Sequence, residues 1–186
     1  SSMSLYLLAL AIAPGIAICF YIYFKDKYEK EPIKVLISSF LLGCCSVLTT
    51  LLLSGLATYL FGFEPRSSNL YFSLVSCVLG IGLVEEYSKF IFVRYYSYRN
   101  KAFNEPFDGI VYCVMVSMGF ATVENILYVY DGGSSVAWLR MFTAVPMHAV
   151  FAIVVGYYLG VQKHLGGRFK AIIGLIYATL LHGIYD

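Results

Sequence analysis

Charge is what this chain has least of. Only 13% of its 186 residues are Asp, Glu, Lys or Arg, where a soluble domain carries about 25%. With 60% hydrophobic residues and a mean hydropathy of +0.76, the composition excludes an ordinary soluble domain and leaves a polytopic membrane protein. There is no Cys-x-x-Cys. The five cysteines, Cys19, Cys44, Cys45, Cys77 and Cys113, all lie in apolar stretches and read as small packing residues, not as a disulfide framework or a zinc ribbon. No His-Glu-x-x-His occurs among the three histidines, so metal ligands, if used, must come from separate helices. Internal repeats and low-complexity segments are also missing, which favours one domain over residues 1–186 and argues against a repeat-built transporter. No basic leader or convincing cleavage site marks the first apolar stretch as a signal peptide, so it is read as a retained span. Ser1-Ser2 reads as a cloning remnant ahead of Met3.

What is present is a series of apolar runs. A spanning helix needs about 20 residues, and six runs approach this: Leu5 to Phe24 with a kink expected at Pro14-Gly15, Ile33 to Phe61, Leu70 to Val93, Phe107 to Tyr130, Trp138 to Val161, and Phe169 to Tyr185. The fold class is therefore all-α, a polytopic transmembrane bundle of about six helices with short polar connections. Seventeen tyrosines and fourteen phenylalanines suit membrane interfaces and a packed bundle. Lys25, Lys27, Lys30 and Lys34, then Arg94, Arg99 and Lys101, then Lys163, Arg168 and Lys170 follow alternate helices, while the other loops carry only Arg66 and Arg140. Basic loops stay cytoplasmic, so a multi-pass cell-membrane protein with both termini extracytoplasmic is expected. The lipid bilayer is its surround, and no nucleic-acid partner is expected.

Against this background the buried polar residues stand out. Glu85 and Glu86 are adjacent inside the third run, where an ionised group near mid-bilayer costs about 3 kcal/mol or more. Lys89 is i+4 from one and i+3 from the other, so it can hold one carboxylate ionised and leave the other a different role. Adjacent residues point about 100° apart, so one glutamate is expected to face a cavity and the other a neighbouring helix. The plain alternative is an ion pair that fixes packing. Glu124 and Asn125 follow in the fourth run, with Phe120 on the same face; the plain alternative for them is an interhelical hydrogen bond. His148 comes two residues after Pro146, which is expected to open the fifth helix locally. His182 and Asp186 share a face at i,i+4, so the aspartate can orient the imidazole. Counting about 1.5 Å per residue places Glu85, Glu124, His148 and His182 near mid-membrane on four helices. His164 reads as a solvated loop residue, and Asp108 as a first-turn aspartate suited to the helix dipole.

These residues carry a resemblance. Glu85-Glu86-x-x-Lys89, Phe107-Asp108-Gly109, Phe120-x-x-x-Glu124-Asn125, His148 and His182-Gly183-x-x-Asp186, in that order over residues 25–186, resemble the PrsW family of intramembrane proteases, related to the CAAX prenyl endopeptidases. The resemblance implies a peptidase that cleaves a membrane-anchored protein such as an anti-sigma factor. By position it implies a catalytic set of Glu85, Glu86, Glu124, His148, His182 and Asp186. Glu124 stands where the prenyl endopeptidases have His.

Two chemistries fit. In one, Glu85 takes a proton from water and the histidines stabilise an oxyanion. In the other, His148, His182 and a carboxylate, here Glu124, hold a zinc ion. A proton- or ion-coupled transporter and a non-catalytic membrane scaffold remain open as alternatives of another class.

Overall fold

The computed structural model describes residues 3–186; Ser1 and Ser2, read above as a cloning remnant, lie outside the described residues. Helix α1 (Leu5–Lys25) begins where the Ser4 hydroxyl accepts from the Leu7 N–H at 3.2 Å, and it runs on through Pro14. Helix α2 (Ile33–Phe61) is bounded by Pro32, which lacks an N–H to extend it, and by Gly62 in the left-handed conformation. The third apolar run forms α3 (Leu70–Val75), a π-helical segment (Ser76–Gly82) and α4 (Leu83–Tyr95). Helices α5 (Asp108–Phe142), α6 (Ala144–Leu165) and α7 (Lys170–Tyr185) complete the bundle. No strand occurs among the described residues.

Among the described residues, four helical stretches are long and apolar enough to cross a membrane: Leu5–Lys25, Ile33–Phe61, Leu70–Arg99 and Asp108–Leu165. The last contains both the fourth and the fifth expected segments. The sixth, α7, is apolar but only 16 residues long. Large apolar side chains such as Leu52, Leu70 and Ile184 face outward, as a lipid-facing surface requires.

Two expectations change here. The fifth segment does not start at Trp138. Gly133 adopts φ 70, ψ −158, a backbone that side-chain-bearing residues avoid, and the chain reverses there. Residues 134–142 then run back along α5, and α6 begins after the break at Thr143. Pro146 consequently lies in the first turn of α6, where its missing N–H would be unpaired in any case, and it does not open the helix.

Packing is set by small residues. A Cβ at Gly43 would meet the Val116 carbonyl oxygen at 1.9 Å, and one at Gly119 the Phe40 carbonyl oxygen at 1.9 Å. These two glycines let α2 and α5 approach to backbone contact. Gly109 and Gly156 do the same for α5 and α6. The core between them holds Val111, Tyr112, Met118, Phe151 and Leu159. All five cysteines are free.

Ten of the thirteen Lys and Arg residues gather at one end of the bundle, all but Arg66, Lys89 and Arg140. At this basic end His164 is half-buried and stacked on Phe103 at 5.7 Å, against the expectation of a solvated loop residue. Asp108 is fully buried, and its Oδ2 accepts from the Asn104 and Glu105 N–H groups at 2.9 and 2.7 Å. It therefore ties down the turn before α5 more than it caps α5 itself. Beside it, burial pushes the Glu31 carboxyl up to about 8 despite a hydrogen bond from Tyr112.

Candidate active site around His182

The π-helical turn sets the site. It inserts one extra residue before α4 and ends at Gly80-Ile81-Gly82, and such turns recur at functional sites. Gly82 has no side chain to keep α7 away: a Cβ there would stand 2.8 Å from the Thr179 carbonyl oxygen and 3.1 Å from the Gly183 N. Gly183 returns the favour, since its Cβ would meet Val78 at 2.5 Å. The mutual approach of these glycines carries His182 onto the first turn of α4.

His182 is therefore gripped from both sides. Its Nδ1 lies 2.8 Å from Glu86 Oε1, and its Nε2 lies 3.0 Å from Glu85 Oε2 and 3.4 Å from Asp186 Oδ2. The two glutamates thus both meet one imidazole, although they point in different directions along α4; the expectation that only one would face the site is corrected by the ring's two-sided reach. Phe151 stacks on the ring at 4.7 Å. Glu85 Oε2 makes a charge contact with Nε2 at 3.0 Å but is buried without a hydrogen bond among the described residues.

Lys89 occupies the floor. It donates to Glu86 Oε1 at 2.7 Å and lies 3.4 Å from Ser117 Oγ, 3.2 Å from His148 Nδ1 and 5.1 Å from the Phe120 ring centroid. An ammonium group can only donate. His148 Nδ1 must then accept, which puts the ring proton on Nε2, 3.5 Å from Glu124 Oε1. Ser117 Oγ donates to the His148 carbonyl at 3.0 Å and so fixes the start of α6 against α5.

Glu124 and Asn125 are claimed by Arg140. Arg140 Nη2 donates to Glu124 Oε1 at 2.5 Å and its Nε to Asn125 Oδ1 at 2.7 Å, while Asn125 Nδ2 donates to the Ala11 carbonyl at 3.2 Å. In the sequence Arg140 counts only as one of two basic residues in the sparsely charged loops. Only the reversal at Gly133 brings it to the site, and the one hint in the sequence was its isolation among loops otherwise almost free of Lys and Arg.

The site has depth. The side chains of Glu86, His182, His148 and Lys89 are 3–5% exposed, whereas Arg140, Glu85, Glu124 and Asp186 are 12–22% exposed. The more exposed group lies towards the end of the bundle opposite the basic loops. One ligand atom each from Glu85, His148 and His182 lie within 4.8 Å of one another. Two imidazoles and a carboxylate suit zinc, and the unpartnered buried Glu85 oxygen is the kind of atom that a cation satisfies. The metal-competent trio contains Glu85, where the sequence reading had Glu124.

The sequence model described as PrsW family intramembrane metalloprotease matches residues 31–186. The chain is 34% identical to Protease PrsW of Geobacillus kaustophilus, covering 97% of this chain and 78% of that protein. It is 35% identical to Protease PrsW of Bacillus subtilis, covering 97% and 81%, and 35% identical to Protease PrsW of Clostridioides difficile, covering 99% and 79%. No solved structure gives a significant match. The chain belongs to the PrsW family of intramembrane proteases.

Proposed function

We propose that this chain is an intramembrane endopeptidase whose water-activating group is Glu85. The observation that carries the reading is Glu85 Oε2: a buried oxygen without a hydrogen bond, 3.0 Å from His182 Nε2, on a side chain that is otherwise partly exposed. A carboxylate in that state is free to accept a proton from a water held between the helices. Glu86, fixed by Lys89, holds His182 Nδ1 and so turns Nε2 towards Glu85. His148, with its proton directed to Nε2 by Lys89, and His182 supply donors to the oxyanion that forms as water adds to the peptide carbonyl. Asp186 borders the same face of His182. Arg140 holds Glu124 in place beside His148.

A metal reading is supported by the trio Glu85, His148 and His182, whose donor types fit zinc. When bound, the ion would act as a Lewis acid and make its water more acidic. His148 can offer Nε2 as a ligand only when Lys89 no longer occupies Nδ1.

The substrate proposed is a single-pass membrane protein cut near the surface opposite the basic loops, an anti-sigma factor being the case that the family resemblance suggests. The Lys and Arg of the basic end support a cytoplasmic position for it, with both termini and the site's more exposed rim outside. Co-reconstitution of the protein with a candidate substrate tests the activity. Wild type should cleave, and Glu85→Gln and His182→Ala should not. If both variants cleave at the wild-type rate, the peptidase reading fails and a transporter or scaffold takes its place.

A further inference from the structure

At the basic end, far from His182, three carboxylates converge. Asp26 follows α1, Glu31 precedes α2 and Asp108 opens α5, and one oxygen from each lies within 4.8 Å of the others. All three residues are buried, at 1%, 3% and 0% exposure. No Lys, Arg or His nitrogen forms an ion pair with any of them among the described residues. Lys30 is nearby, but its ammonium donates to the Tyr23 and Asp26 backbone carbonyls instead of a carboxylate.

Glu31 Oε2 accepts from the Tyr112 hydroxyl, and Asp108 Oδ2 accepts from two backbone N–H groups. Both oxygens of Asp26 and Oδ1 of Asp108 have no hydrogen-bond partner among the described residues. A buried carboxylate without hydrogen bonds or counter-charge is costly, and three side by side repel one another.

We infer that Asp26, Glu31 and Asp108 form a binding site for a hard divalent cation that clamps the α1–α2 connection to the start of α5. An all-oxygen, all-carboxylate donor set selects calcium or magnesium over zinc or copper. Oxygens within 4.8 Å of one another are close enough to share one such ion, since bonds of about 2.4 Å to calcium let ligands on opposite sides stand about 4.8 Å apart. Counting about 1.5 Å per residue along α5, Asp108 is about 24 Å from Glu124. The clamp therefore acts on the stability of the bundle, and it does not depend on whether the His182 site cleaves peptides.

Full-length protein in detergent, stripped with a chelator and then titrated with calcium or magnesium alone, tests this by thermal unfolding. One cation should raise Tm by about 4 °C or more at saturation, and equilibrium dialysis with calcium should find one bound ion per chain. Asp26→Asn should abolish both effects and unfold no lower than wild type in chelator, since neither Asp26 oxygen loses a partner. Glu85→Gln should retain both effects. The inference is overturned if wild type shows neither binding nor a shift with either cation, or if Asp26→Asn keeps them, or if Glu85→Gln loses them. Should Asp26→Asn fail to fold, wild-type dialysis and the Glu85→Gln comparison decide the matter.

Discussion

Glu86 Oε1 lies 2.8 Å from His182 Nδ1, and this contact decides which edge of the imidazole is free for chemistry. Because the same oxygen accepts from Lys89 at 2.7 Å, Glu86 is part of the fold as well as of the site. Glu85 is not: its buried oxygen has no hydrogen bond. The two adjacent glutamates should therefore separate experimentally. Glu86→Gln leaves a buried ammonium short of its counter-charge and should destabilise the protein by about 3–5 kcal/mol. Glu85→Gln should unfold at or above the wild-type temperature, yet cleave at least about 10²-fold more slowly. Thermal unfolding in detergent beside a cleavage assay checks both. Equal destabilisation by the two variants would contradict the division of roles.

The approach of α7 to the π-helical turn is a second lever. Ala at Gly82 suits the local backbone but would stand 2.8 Å from the Thr179 carbonyl oxygen, which is backbone and cannot swing aside. Gly82→Ala should push α7 away and lengthen the contacts from His182 to Glu85 and Glu86. Activity should fall by about 10²-fold, in line with the sensitivity of catalysis to misplacement of about 1 Å. Gly55→Ala is the control, because nothing lies within 4 Å of a Cβ there; it should keep activity and, if anything, stabilise α2. Cleavage by Gly82→Ala at the control's rate would show that the helix spacing does not govern the site.

How much of this could be read in advance depends on what kind of signal each feature leaves. The bounds of α2 were legible at both ends, since an uninterrupted apolar run meets Pro32 and Gly62. The polar residues inside apolar runs were equally visible, because the bilayer makes each one costly. The shared approach of Glu85 and Glu86 to His182 was not, since it depends on ring geometry and on how closely two glycines let helices pass. The π-helical turn left no signal beyond Gly80 and Gly82, which permit it without dictating it. The reversal at Gly133 was hidden because Gly132-Gly133 read as a loop, and with it went the correct start of α6 and the role of Arg140. Asp26 and Glu31 drew no reading from the sequence, since burial at a helix junction has no periodicity to betray it.

Arg140 holds the returning segment 134–142 against α5 through Glu124 and Asn125. Replacing it with Met should free that segment while leaving the six apolar runs intact. Limited proteolysis and cysteine labelling near Gly133 should both increase. A double-mutant cycle of Arg140→Met with Glu124→Gln should give a coupling of about 0.5–3 kcal/mol. Additive effects would mean that the 2.5 Å contact contributes nothing to the segment's docking.

Lys89 governs the metal question. Its ammonium, 3.2 Å from His148 Nδ1, obliges that nitrogen to accept and leaves Nε2 protonated. It also places a positive charge beside the trio Glu85, His148 and His182. Both effects oppose a cationic ligand there. Removing the charge with Lys89→Met lets the ring proton move to Nδ1 and exposes the Nε2 lone pair. Zinc affinity should therefore follow the order Lys89→Met, then wild type, then Glu85→Gln, with at least about a tenfold gap at each step, since ligand and outer-shell changes of this kind alter metal affinity by about 10–100-fold. Titration against a competing chromophoric chelator measures the order directly, without reference to cleavage. If Lys89→Met binds zinc more weakly than wild type, Lys89 does not set the His148 tautomer. If Glu85→Gln binds as tightly as wild type, Glu85 is not among the ligands, and its unpartnered oxygen is left to the water alone.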